Sequence, residues 1–157
     1  MAVGPDEYRQ ALRKFASGIT VVTVTETDGF HGMTASSFAA VSLIPPQILV
    51  CLEKTTRTRG LVLDARAFAV NLLGDHQEKV ARSFSLPGSK PFSELKYKIG
   101  QTGAPLLEGA IAWIECTIAH VHDAGDHDVV IGEVISCERR DGYPLVYFDG
   151  AYRSLLN

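Results

Sequence analysis

The apolar stretches of this chain are short and rich in β-branched residues. Residues 19–26, "ITVVTVTE", are β-branched at most positions and read as a strand. Asp28-Gly29 supplies a hairpin turn, and "FHGMTA" resumes as a second strand. Pro45-Pro46 interrupts the next apolar stretch, so a third strand is expected over 47–53, "QILVCLE". "AFAVNLL" follows as a fourth. "AIAWIECTIAHVH" and "HDVVIGEVISCER" are two long strands joined by a tight turn at residues 124–126, "AGD". Asp141-Gly142 marks one more turn before a last strand, "YPLVYF".

Helical periodicity is rarer. Behind Pro5, a residue suited to a first helical turn, Tyr8, Leu12 and Phe15 recur at helical spacing, with Gly18 as a stop. "KTTRTRGLVLDA" is polar and then apolar and predicts a short helix. "DHQEKVARSF" predicts another, opened by an Asp75-x-x-Glu78 capping pattern. Residues 85–105, with Pro87, Gly88, Pro91 and Gly103, read as a long irregular connection with no assigned role. Many strands, short turns and few helices imply a mainly β fold: an antiparallel barrel with capping helices. Helices do not alternate regularly with strands, and neither Gly-x-Gly-x-x-Gly nor the phosphate loop Gly-x4-Gly-Lys-Ser/Thr occurs, which disfavours a doubly wound fold.

With 157 residues, one domain spanning 1–157 is expected. A net charge of −3 without a basic patch argues against nucleic acid as a partner. No apolar run reaches the roughly 18 residues a membrane span needs. The segment "MAVGPDEYRQALRKF" lacks an apolar leader core and carries early acids, so a cytoplasmic location is expected. Cys51, Cys116 and Cys137 are odd in number, widely spaced and set in apolar stretches, which suggests buried, reduced thiols.

Three clusters could carry chemistry. "HGMTASSF", residues 31–38, sets a glycine and short hydroxyl side chains between two strands; it is either a cradle for a ligand or a polar loop. "EKTTRT", residues 53–58, follows a strand directly and offers Lys54 and Arg57 with Thr55, Thr56 and Thr58 for phosphate oxygens, or else a solvated helix cap. "HVHDAGDHD", residues 120–128, sets His120 and His122 on one strand face with His127 across a turn. It could be a metal site, a pair of exposed strand-end histidines, or one functional histidine. No nucleophile motif is present, so an enzyme built on this chain would rely on a cofactor for the difficult step.

In order, "KFASGITVVTV", "HGMTASSFAAVSLIPPQILVCLEK", "FAVNLL", "VARSFS", "GAIAWIEC", "AGDHDVVIGEV" and "PLVYFDGAY" resemble the flavin reductase-like family, over about residues 7–155. The resemblance implies a split β-barrel of the FMN-binding type, working as a homodimer. It implies reduction of FMN or FAD by NADH (NADPH being possible) and delivery of reduced flavin to a separate monooxygenase component. Met33, Thr34, Ser36 and Ser37 would lie along the flavin. Cys51, Leu52 and Glu53 would meet it mainly through main-chain groups, Arg57 and Thr58 would take its phosphate, and Ser83 and Phe84 would close over it. His127 would stand beside the nicotinamide, with Phe148, Gly150 and Tyr152 lining the same side. No metal is implied. A non-catalytic flavin- or haem-binding barrel is the alternative on the same fold.

Overall fold

The computed structural model describes residues 2–156. It is mainly β, with 49% of residues in strands and 20% in helices. Among these residues the elements run α1 (Pro5–Leu12), β1 (Ser17–Gly18), β2 (Thr20–Glu26), β3 (Gly29–Ala35), β4 (Phe38–Leu43), β5 (Pro46–Glu53), α2 (Arg57–Ala65), β6 (Ala67–Leu72), α3 (Glu78–Ser85), β7 (Tyr97–Ile99), β8 (Pro105–Leu107), β9 (Ala112–Ala124), β10 (His127–Arg139), β11 (Val146–Phe148) and β12 (Ala151–Arg153).

One seven-stranded antiparallel sheet, ordered β3-β2-β6-β9-β10-β5-β4, forms the body. It curls without closing, as a split barrel does, and its two edge strands are consecutive in the chain, joined only through Ser36 and Ser37. Two small sheets accompany it: β1-β11-β12 and β7-β8.

Why β2 is β-branched at most positions is now clear. Val22 and Val24 enter one apolar cluster with Val50, Leu52, Val62, Phe68 and Val130. Val21 enters another with Ile19, Phe84, Leu107 and Leu145. A strand buried on both faces needs apolar bulk at consecutive positions, and each such side chain contributes about 1.5–3 kcal/mol on burial. β5 instead alternates: Ile48, Val50 and Leu52 are buried, while Leu49 and Cys51 are only partly covered.

The expected elements occur, with corrections. The first helix ends at Leu12 instead of running to Gly18, so Phe15 lies outside it and Gly18 belongs to β1. Phe38–Leu43 is a strand that the run up to Pro45-Pro46 concealed; it pairs with β5 as a hairpin turning at those prolines. The helix after residue 74 is not capped by Asp75. Residues 75–77 form a single 3-10 turn, and the Gln77 side chain accepts the Gly74 N–H at 3.0 Å. The 85–105 connection is not wholly irregular, since it contains β7 and a second 3-10 turn at Phe92–Glu94. The stretch 143–148 is a strand only over Val146–Phe148, and it is not the last, because β12 follows it over Ala151–Arg153. Cys116 is buried and Cys51 half-buried, but Cys137 is exposed, because it lies on the outer half of β10; all three thiols are free.

Candidate active site

β3 carries the first group. Gly32 faces α3: a Cβ there would stand 2.9 Å from Phe84 Cε1 and 3.1 Å from the Val22 carbonyl oxygen. The glycine therefore admits the fully buried Phe84 ring, and its bare backbone is not left open for a ligand. Thr34 Oγ1 donates to the Ala81 carbonyl at 2.6 Å, fixing α3 on the strand. Ser83 Oγ donates to the Val80 carbonyl at 2.8 Å within that helix. Thus Met33, Thr34, Ser83 and Phe84 are brought together through the β3–α3 contact.

A cavity of about 340 Å³ opens where Met33 and Phe84 meet the start of α2. Arg57 and Thr58 line it, with Thr56, His31 and Lys90. Thr56 caps α2, its hydroxyl accepting the Arg59 N–H at 3.3 Å. The amides of Arg57 and Thr58, in the first turn, have no partner within the helix. They add partial positive charge to the same end. Arg57 is paired with Glu26 at the tip of β2. The buried His31 sits behind Thr58, Nε2 to Oγ1 3.0 Å. Burial holds its pKa below the usual histidine value, and the Lys90 and Arg57 charges add to the shift. A neutral imidazole beneath two cations results.

The third group lies at the end of β5. The Cys51 N–H is shared between the Ser37 carbonyl at 3.2 Å and Ser37 Oγ at 3.3 Å. Ser37 Oγ in turn donates to the Cys51 carbonyl at 2.9 Å. This amide is thereby occupied within the β4–β5 seam. Leu52 points into the core and is fully buried, so only its main chain is available to a ligand. Glu53 is opposite His127 in the β5–β10 register. His127 Nδ1 lies 2.7 Å from Asp126 Oδ1, and this hydrogen bond, with the histidine's charge, holds the Asp126 carboxyl below its usual range. Lys54 spans the same turn, donating to Asp123 at 2.5 Å and to the Gly125 carbonyl at 2.6 Å.

Phe148, Gly150 and Tyr152 stand on the small sheet. Asp149 and Gly150 both have positive φ, 49° and 80°, which makes the β11–β12 turn tight. Lys14 donates to Asp149 Oδ2 at 3.0 Å and lies 5.9 Å from the Phe148 ring centroid. Arg82 of α3 covers the Tyr152 ring at 4.9 Å. Within this chain, then, His127 and the 148–152 turn belong to different sheets. Ser36 lies on the side of that turn: it borders a cavity of about 710 Å³ with α1, Tyr147 and Gly150. His120 and His122 stack on β9 with centroids 6.0 Å apart, and both are exposed. Among the described residues no group of three His, Cys, Asp or Glu is placed to hold a metal.

Sequence reasoning passed over His31, Lys90 and Arg59. The first two line the cavity; the third fixes β10 through Asp128. Lys90 lay in a stretch read as featureless, and nothing in its local pattern marked it.

The open antiparallel barrel with its covering helices is a split barrel. Residues 12–156 match the model of the "Flavin reductase like domain" family, and the chain belongs to that family. It is 39% identical over 145 residues to the FMN reductase (NADH) SmoA of Agrobacterium fabrum, covering 92% of this chain and 83% of that protein. It is 35% identical over 156 residues to the reductase subunit HsaB of a flavin-dependent monooxygenase from Mycobacterium tuberculosis, covering 98% and 83%. The NADH:FAD oxidoreductase SgcE6 of Streptomyces globisporus, solved with NAD and FAD fragments, superposes with a TM-score of 0.91 at 35% identity, covering 98% of this chain and 95% of that one.

Proposed function

We propose that this chain acts as one domain, residues 1–157, an NADH-dependent reductase of FMN or FAD that passes reduced flavin to a separate monooxygenase component. The observation that carries the reading is the cavity between β3, α2 and α3 inside a chain of this family. Its wall of Met33 and Phe84 is apolar, and its rim offers Arg57, Thr58 and free helix amides. A flavin ribityl phosphate matches both: carbon and ring surface against the first, dianionic oxygens against the second.

Bound side by side, nicotinamide and flavin supply the chemistry, a hydride passing from one ring to the other. The residues of the chain bind, orient and exclude water. Arg57 and Thr58 fix the phosphate. Met33 and Thr34 border the path from that phosphate toward the β4–β5 seam, where Ser37 ties down the Cys51 main chain and Leu52 and Glu53 would offer main-chain groups; Ser36 would act from the neighbouring cavity beside Tyr147 and Gly150. Ser83 and Phe84 form the α3 side. His127 lies at the far end of the seam, opposite Glu53, and orients the nicotinamide, its ring held by Asp126. Phe148, Gly150 and Tyr152 complete the nicotinamide side.

The working form is a homodimer. α1 buries none of its residues, and Phe15, Leu43 and Ile44 are 76%, 84% and 90% exposed, apolar side chains that a second copy would cover. Light scattering at micromolar concentration should give twice the chain mass; a monomer would refute the dimer.

The test of the activity is NADH oxidation by purified protein with no flavin, with FMN and with FAD. Oxidation that requires added flavin supports the reading and ranks the two flavins. No oxidation with either flavin, and none with NADPH, overturns it.

A further inference from the structure

The cavity has a second cation that the phosphate assignment leaves idle. Lys90 follows α3 by five residues and folds back onto it. Its Nζ donates to the carbonyl oxygens of Phe84 at 3.3 Å and Leu86 at 2.5 Å. These carbonyls belong to the C-terminal end of α3, where a positive charge is favoured. The ammonium also lines the cavity shared with Arg57, and burial pushes its pKa down. Among the described residues no carboxylate lines this cavity; Glu26 pairs with Arg57 from the tip of β2. His31, Arg57 and Lys90 line the same cavity.

Two cations, two threonine hydroxyls and a histidine line this cavity; with Glu26 paired to Arg57, the group carries an excess of about one positive charge, and Lys90 is the cation that supplies it. A phosphate monoester carries close to two negative charges at neutral pH. We propose that Lys90 is a second phosphate-binding cation, and that with Arg57 it makes this site select phosphorylated flavins over riboflavin. The proposal rests on the reading of the chain as a flavin reductase. Lys90 would then serve two ends at once: it holds the segment 86–90 against α3, and it presents its remaining N–H to the ligand's phosphate.

The measurement is the dissociation constant of FMN and of riboflavin, by flavin fluorescence, for wild type, Lys90→Met and Lys90→Arg. Loss of one charge-assisted contact should raise the FMN constant of Lys90→Met by about tenfold or more. Riboflavin affinity should stay within about twofold, and Lys90→Arg should recover most of the FMN affinity. Equal weakening of both flavins would show that Lys90 only braces the segment, and would overturn the proposal. So would unchanged FMN binding. Should Lys90→Met not fold, Lys90→Gln and the wild-type FMN-to-riboflavin ratio carry the same comparison; a ratio near one overturns it. Inorganic pyrophosphate reads the cavity without flavin. Thermal stabilisation of wild type that Lys90→Met lacks supports the two-cation site even where flavin binding fails, and that failure would instead overturn the reductase reading.

Discussion

Arg59 meets one oxygen of Asp128 with two of its nitrogens, Nε to Oδ2 at 2.8 Å and Nη2 to Oδ2 at 2.7 Å, with the Asp128 side chain only 5% exposed. The pair ties the first turn of α2 to the second residue of β10. It thereby fixes the α2 side of the cavity relative to His127.

Removing the arginine strands a buried carboxylate. Arg59→Ala should lower unfolding free energy by about 3 kcal/mol. Asp128→Asn should cost less, because Arg59 is one-third exposed and can turn to water. Urea midpoints of the two variants check this; equal small losses would mean that the pair is merely a surface ion pair.

Gly32 has room for hydrogen and nothing larger. Gly32→Ala drives a methyl against Phe84 and a backbone oxygen, at a cost of about 1–3 kcal/mol. Phe84→Leu in that background should restore part of the loss. A neutral Gly32→Ala would contradict the close approach.

His127→Ala should raise the KM for NADH by roughly two- to tenfold, the loss of one modest contact, with the flavin dissociation constant almost unchanged. Steady-state kinetics beside fluorescence titration separate the two. An equal effect on both ligands would remove His127 from the nicotinamide side.

Burial holds the His31 pKa below the ordinary histidine value of 6.5, so the ring is kept neutral in the fold. The unfolded chain therefore takes up its proton at higher pH than the folded one. Stability should fall as pH drops below 6.5 and level off beneath the folded pKa. His31→Gln should flatten that part of the curve. Parallel curves for variant and wild type, from denaturant melts across the acid range, would deny the linkage.

The three thiols should label in sequence. Cys137 is exposed and should react first. Burial slows Cys51 and raises its pKa, and bound flavin should protect it further. Cys116, its pKa pushed up to about 12, should label only on unfolding. Mass spectrometry of peptides after brief alkylation shows the order.

The strands that enclose the core were legible because burial leaves a mark in composition: β2, β5, β6, β9 and β10 all read correctly. β4 did not, since Ala39, Ala40, Val41 and Leu43 are exposed and obey no inward-outward alternation. Cap chemistry was misread at residue 75 because a glycine cap has no side chain to announce it. At the site, Arg57 and Thr58 were visible as residue types that suit phosphate. Lys90 and His31 were not, because their placement depends on α3 lying across β3, a contact between segments distant in sequence. Gly32 was noticed, but its purpose is a neighbour's aromatic ring.

The order of strands in the large sheet also bears on how the molecule forms. β2–β3, β4–β5 and β9–β10 are hairpins that can close locally, within microseconds. β5–β10 and β2–β6 join segments far apart along the chain and must await the collapse of everything between. The seam of Ser37, Cys51, Glu53 and His127 straddles the β5–β10 junction, so it is assembled late. Reduced or oxidised flavin present during folding would act on the final step, trapping the junction once made and slowing its reopening.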